Sequence, residues 1–442
     1  MKLPSRKELI ERGYPFGKVT EGIPFGDPAN EWARTQPDAK IYIPEKDMGN
    51  DCDNCVLAVI PTFDESELLA VWTQSTKEAF GDNRIVIARS GDGVNWSGTK
   101  VIAGAMTKED RQSSWGFPMY TKSGRLYIFF IQETDRGDLP RAASGELALM
   151  YSEDDGHTWS KPGIAPLPRG RYDHPDPSIN KNWWCFQTPI RDAEGKYIVG
   201  ITIETSPAVK PDRLPYPHND SRAAFLRFEN LDDNPEPEDV RVTISPTDGL
   251  EVPDKSRPHT IVAQEPAPVL LPDGRLFATM RTMTGNIYYT VYEKSAWREA
   301  APLNGFDGQP VPHPLGPCPI YRLEDGRYLC LTYNNPGKRL GYDLFAEPAE
   351  RWAGNICRNP LFFMVGVYKA DDEQPIRFGK PHLFMDSDDV AVGARKKSST
   401  APLYTAITQW HGKNMIWYPD RKYYILGKEI PAELLDELTP EG

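Results

Sequence analysis

One short pattern recurs six times along the chain, and it constrains the fold more than any other feature. Each copy opens on an acidic or polar turn, usually a glycine followed by a basic residue, and runs on into β-formers. The copies are DESELLAVW (64–72), KSGRLYIFF (122–130), AEGKYIVGI (193–201), PDGRLFATM (272–280), EDGRYLCLT (324–332) and HGKNMIWYP (411–419). Glycine supplies the positive φ of a tight turn, so each copy reads as a hairpin turn followed by a strand. Successive copies lie 52 to 86 residues apart. A four-stranded blade takes ~40–50 residues, so every interval holds one blade plus loops. Six copies predict an all-β, six-bladed β-propeller. Composition agrees, since 42 Pro, 35 Gly and 11% aromatic residues in 442 suit many short strands and punctuated turns better than bundled helices.

The expected layout is an N-terminal extension over residues 1–50 packing on the propeller, the propeller over 51–430, and a short C-terminal helix and tail over 431–442. A short helix is expected around Ser5–Arg12 and another in IPAELLDEL, while Pro-rich 207–220 and 232–259 read as loops within blades. The stretch SEDDGHTW (152–159) fits the Asp box S-x-D-x-G-x-T-W, SGDGVNW (90–96) is a shortened version, and YEKSAWRE (292–299) reads as a degraded third. In such a box the Asp carboxylate accepts backbone N–H groups across a turn, the Gly takes a positive φ and the Trp packs beneath the sheet. It should close the outer hairpin of a blade and take no part in catalysis.

A net charge of −12 argues against nucleic-acid or anionic-membrane partners, which require a basic face. The N-terminus has basic residues but no apolar h-region, and no run of 18 apolar residues occurs, so a soluble, cytoplasmic protein is expected. Six Cys (52, 55, 185, 318, 330, 357) are too sparse for a disulfide framework and read as reduced thiols. Cys52 and Cys55 have the spacing of half a zinc site, but no second C-x-x-C or H-x3-H accompanies them, so no metal is expected.

Superposing the copies on their turns shows which residues share a place in each blade. The strand before the turn is innermost in such folds, so the residue eight or nine before the turn glycine should face the axis. Those places hold Trp115, Gln187, Glu265, Pro317 with Cys318, and Tyr404, with Asp53, Asn54 and Cys55 near the first copy. A carboxylate and a phenol from two blades are thereby predicted to meet in one funnel.

With the boxes, the segments QEPAPVLLPDGRLFATMRT (264–282), YLCLTYNNPGKR (328–339) and LYTAITQWHGKNMIWYPD (403–420) give a chain that resembles the sialidase superfamily of exo-glycosidases over roughly residues 50–430. The resemblance implies a retaining exo-glycoside hydrolase that cleaves a terminal acidic sugar from a glycan and needs no cofactor. Residue by residue, it makes Tyr404 the nucleophile and Glu265 its base; a neutral phenol attacks an anomeric carbon beside a carboxylate without charge repulsion. It makes Asp82 the general acid, with Glu78 as second choice. Arg281 matches the second arginine of the family's carboxylate clamp, and Arg339 matches the third more loosely, with Lys338 as its rival. Trp115 and Gln187 would shape the pocket. The family's first-blade arginine is missing, because DCDNCVLAVIP (51–61) carries Asn54 or Cys55 in its place. Losing that arm removes a charge-assisted bond of about 1.5–3 kcal/mol, which points to an acidic sugar other than sialic acid, or to a neutral one. Two alternatives stand beside this reading. One is a lyase on uronate-containing glycans, with His174, His218, His259 or His313 joining Tyr404 and Arg281. The other is a non-catalytic glycan- or protein-binding propeller, since fold alone settles no function.

Overall fold

The computed structural model describes residues 30–44, 52–76, 81–105, 110–139, 143–212, 220–254, 257–346, 353–392, 399–402 and 404–441. The expected helix around Ser5–Arg12 lies outside them. Six antiparallel sheets follow one another along the chain and form a six-bladed propeller. Each repeat turn joins the innermost strand of a blade to the second one: Asp53–Pro61 to Leu68–Ser75, Ser113–Tyr120 to Leu126–Gln132, Ile190–Arg191 to Tyr197–Glu204, Ala263–Leu270 to Leu276–Thr282, Ile320–Arg322 to Tyr328–Thr332, and Ala406–Trp410 to Lys413–Asp420. The turn glycines 124, 195, 274, 326 and 412 have φ between 76° and 97°. That conformation favours glycine, which is why the motif reads clearly in sequence.

One segment is placed differently from the expectation. Ala39–Tyr42 does not belong to a separate extension; it pairs with Tyr424–Ile430 as the outermost strand of blade six. A ring built from consecutive sheets must be closed by its ends, and pairing a strand from one terminus with strands from the other does this. Ahead of it the 3-10 turn Glu31–Thr35 is buried, with Glu31, Arg34, Asp388, Asp420 and Arg421 tied into one ionic cluster. The C-terminal helix is present as Ala432–Leu438.

Both Asp boxes close the turn between the third and outermost strands, in blades one and two. In the full copy Ser152 Oγ accepts from Gly156 N (2.7 Å), Asp154 Oδ1 accepts from Thr158 N (2.8 Å), and Asp154 Oδ2 accepts from Thr158 Oγ1 (2.6 Å). These donors hold the Asp154 carboxyl down at about 2. In the short copy Asp92 Oδ1 accepts from Val94 N (2.8 Å) and Asn95 N (2.7 Å), and Trp96 packs edge-on against Trp417 of blade six. The 292–299 stretch occupies the same place in blade four. It keeps only the tryptophan, Trp297, which stacks on Phe225 of blade three with ring centroids 3.7 Å apart. The boxes lie on the outer hairpins, as expected, and the Trp96 and Trp297 rings in addition pack against the neighbouring blade.

Candidate functional site

The innermost strand bulges near its start. Pairing slips between Cys55 and Leu57, between Ser114 and Phe117, and between Gln264 and Ala267. The residues at the slips, Val56, Trp115 and Glu265, have φ of 54°, 61° and 53°, and Tyr404 of blade six has φ 54°. A bulge re-aims the side chain at the slip, and left-handed non-glycine residues gather where surrounding structure holds them for function. The preceding blade does the holding. Thr73 Oγ1 accepts from Trp115 N and Thr202 Oγ1 accepts from Glu265 N, each at 2.8 Å, and Thr279 Oγ1 donates to Cys318 O at 2.7 Å. Gly200 lets blade three come this close, since a Cβ there would lie 1.6 Å from Pro266 O.

Tyr404 and Glu265 meet. Tyr404 Oη donates to Glu265 Oε1 at 3.3 Å, Arg281 Nη2 lies 2.9 Å from the same oxygen, and Arg281 Nη1 is 3.5 Å from the phenol. Arg281 is aimed by its cross-strand partner Gln264, whose Oε1 accepts from Nε (2.9 Å) and whose Nε2 donates to Ser221 Oγ (2.9 Å). Glu265 and Tyr404 are 2% and 4% exposed. Burial raises the Glu265 pKa against the opposing pull of Arg281, Arg358 and Lys422. Burial and the Glu265 charge together raise that of Tyr404. Among the described residues, Glu265 Oε2 is a buried acceptor with no donor, an arrangement that invites a ligand proton.

The other expected residues fall in varied places. Trp115 packs edge-on against Phe186, which packs edge-on against Tyr404, with ring centroids 4.7 and 4.6 Å apart. Phe186, next to the anticipated Gln187, is thus the blade-three ring beside the phenol. Gln187 Nε2 donates to Glu265 O at 3.4 Å, and the residue lines an axial cavity of about 460 Å³ at the end of the blades carrying the repeat turns. Asp82 accepts from Thr76 N at 3.0 Å and closes the turn between the second and third strands of blade one. That is the end of the blades where Tyr404 lies, but no contact joins the two. Glu78 lies outside the described residues.

Arg339 is committed elsewhere. It forks onto both oxygens of Asp389 (2.9 and 3.0 Å) and donates to Ile356 O (2.7 Å). Its rival Lys338 is 67% exposed and paired with Asp343. The second arginine whose charge reaches Glu265, after Arg281, is Arg358, whose Nε donates to Leu315 O at 2.8 Å. Asn54 has its amide spent inside the protein, and the bulge places Val56 rather than Asn54 or Cys55 at the blade-one position equivalent to Glu265. Lys422, between the second and third strands of blade six, puts its ammonium 5.6 Å from the centroid of the Tyr404 ring. No repeat or motif marks Phe186, Arg358 or Lys422. His313 is buried, with Nδ1 on Thr332 Oγ1 (3.1 Å) and Nε2 on Gly316 O (2.8 Å), and burial takes its pKa to about 3. His174 Nδ1 accepts from Asp176 N at 3.0 Å. His218 and the side chain of His259 lie outside the described residues.

Six blades, Asp boxes on the outer hairpins of two of them and a Tyr–Glu–Arg cluster at the starts of the innermost strands define a six-bladed β-propeller with one candidate site. The chain belongs to the family described as BNR repeat-like domain, whose model matches residues 66–413. Among solved structures it is similar to a Dyadobacter fermentans protein of unknown function, with 12% identity, 89% of this chain and 96% of that one covered, and a TM-score of 0.55. It is also similar to the intramolecular trans-sialidase of Ruminococcus gnavus in complex with oseltamivir carboxylate (12% identity, 90% and 98% covered, TM-score 0.55). Against Trypanosoma rangeli sialidase in complex with the inhibitor DANA the values are 12% identity, 87% of this chain and 56% of that chain, and TM-score 0.53, so the chain spans just over half of that protein. At such identities the likeness shows the fold alone. No curated protein matches the sequence significantly.

Proposed function

We propose that the protein is a retaining exo-glycoside hydrolase acting on a terminal acidic sugar of a glycan. The single observation that carries this reading is the buried contact between Tyr404 and Glu265, supplied by two blades and shared with Arg281. In the proposed reaction the Tyr404 oxygen bonds to the anomeric carbon while its proton passes to Glu265. The glycosidic C–O bond breaks, and the leaving oxygen takes a proton from Asp82. Water then attacks the same carbon, gives its proton to Asp82, and releases the phenolic oxygen, which recovers its proton from Glu265. Arg281 and Arg358 receive the carboxylate of the sugar. Burial, which raises the pKa of Glu265 above that of an ordinary carboxylate, makes it a stronger proton acceptor for the phenol.

A panel of aryl glycosides of acidic and neutral sugars tests this reading. Chromophore release that falls at least about a hundredfold in Tyr404→Phe supports it; release that survives undiminished removes the nucleophile. A product absorbing in the near ultraviolet would instead mark the lyase. One observation favours a second reading, a glycan-binding propeller without turnover: the axial cavity of about 460 Å³ lies at the repeat-turn end of the blades and includes neither Tyr404 nor Glu265. Glycan binding with no release from any glycoside would select it.

A further inference from the structure

The axial cavity at the repeat-turn end of the blades has a composition that the chemistry at Tyr404 does not use. Its walls come from five of the six innermost strands, each giving a β-branched apolar side chain: Ile60, Ile190, Val269, Ile320 and Ile407. Val269 and Ile320 are buried, while Ile60, Ile190 and Ile407 keep part of their surface exposed. Water beside such walls finds few hydrogen-bond partners, so an apolar body that displaces it gains free energy. The polar groups bordering the shaft are nearly all spent inside the protein. Tyr321 Oη donates to Thr405 O (2.5 Å), and at the inner end Gln187 Nε2 donates to Glu265 O (3.4 Å). Arg191 donates to both oxygens of Asp232 (2.9 and 3.0 Å) and to Tyr120 O (2.8 Å). Glu324 of blade five accepts from the Gln409 amide of blade six at 2.9 Å. Arg322 is the exception. It is exposed at the mouth of the cavity, and among the described residues it makes no ion pair and no side-chain hydrogen bond. A guanidinium fork left without a carboxylate, beside an apolar shaft, matches an anion carried on an apolar body. The volume of about 460 Å³ falls in the range of small-molecule pockets.

We propose that this shaft is a second ligand site, separate from Tyr404 and Glu265, and that it takes a small amphipathic carboxylate. The aliphatic or aryl body lies among the five β-branched side chains, and the carboxylate meets Arg322 at the mouth. Each half of the site selects one half of the ligand. The walls favour an apolar body but give it no direction, and the guanidinium fixes which end points outward. The site stands whether or not the protein turns over a glycoside.

Calorimetric titration of the full chain with octanoate, 1-octanol and acetate separates body from head. Octanoate should bind one molecule per chain with a Kd of about 1 mM or tighter. 1-Octanol should bind about tenfold or more weakly than octanoate, and acetate without saturation. Arg322→Gln should weaken octanoate about tenfold or more, because a charge-assisted bond is lost, and Arg322→Lys should restore part of the affinity. Ile407→Trp, which fills the shaft, should abolish saturable binding. If its thermal midpoint shows that this variant does not fold, Ile60→Trp takes its place. Tyr404→Phe should bind octanoate as tightly as the unaltered chain. No saturable octanoate binding to the full chain, affinity unchanged in Arg322→Gln or in the filled shaft, or 1-octanol binding as tightly as octanoate would each overturn the proposal. So would affinity lost in Tyr404→Phe, which would move the ligand to the other site.

Discussion

The buried cluster that closes the ring gives the most quantitative prediction. Glu31 accepts three N–H donors, Arg34 Nε (2.6 Å), Arg34 Nη2 (2.7 Å) and Arg421 Nη1 (2.9 Å), and all three residues are fully buried. Glu31→Gln keeps the shape but removes the charge and turns an amide NH₂ toward guanidinium donors. Breaking a buried pair by removing one partner costs about 3–5 kcal/mol, because the remaining charges stay buried without compensation. An unfolding entropy of ~2.1 cal/mol/K per residue gives about 0.9 kcal/mol/K for 442 residues, so Tm should fall by about 3–5 °C. Calorimetry measures it. Glu429→Gln, which breaks the exposed Lys413–Glu429 pair, is the control and should shift Tm by less than about 1 °C. The pH dependence has a definite sign. Burial alone would raise the Glu31 carboxyl, but the hydrogen bonds and charges of Arg34 and Arg421 bring it below its ordinary value of 4.5. Its contribution is therefore complete above that value and is lost as pH falls through the lower folded one. The Tm gap between the two proteins should be full at neutral pH and shrink as the pH falls below the ordinary value of 4.5. A gap under about 1 °C at pH 7, or one independent of pH, would refute the account of the closure.

Thr202→Val removes the oxygen that accepts Glu265 N while preserving side-chain shape, leaving a buried N–H unsatisfied at a cost of about 1–3 kcal/mol. Glycoside turnover should fall along with stability, whereas Thr243→Val, on the outer strand of blade three, should leave turnover unchanged. Asp154→Ala frees Thr158 N and Oγ1 on the outer hairpin of blade two, so Tm should drop by about 1–2 °C with full turnover retained. Loss of turnover there would contradict a purely structural box.

What sequence made visible follows from what repeats. Turn glycines with positive φ stand at the same place in five blades, and setting them in register is enough to put Glu265 and Tyr404 in one funnel. The turn of blade one limited that alignment. It spans residues 62–67, one residue more than the turns 121–125 and 271–275 of blades two and four, so Val56 takes the axial place in blade one while Asn54 turns inward to hold a neighbouring loop. Ala39–Tyr42 was hidden because it lacks the turn that marks a blade and pairs with a strand nearly four hundred residues away. Arg339 had suitable chemistry and a plausible spacing, but its fork is taken by Asp389, fifty residues further on. Arg358 and Lys422 sit on connections whose length and composition differ from blade to blade, so nothing periodic announces them.

The central claim is that a phenol and a carboxylate from separate blades form one reactive pair. Its most direct test is mass mapping of peptides after the protein meets a fluorinated acidic glycoside that forms the covalent sugar–enzyme species but hydrolyses it slowly. The expected result is a sugar adduct on the peptide containing Tyr404, absent in Tyr404→Phe and formed more slowly in Glu265→Gln. An adduct on another side chain, or turnover of the unfluorinated glycoside undiminished in Tyr404→Phe, would contradict it.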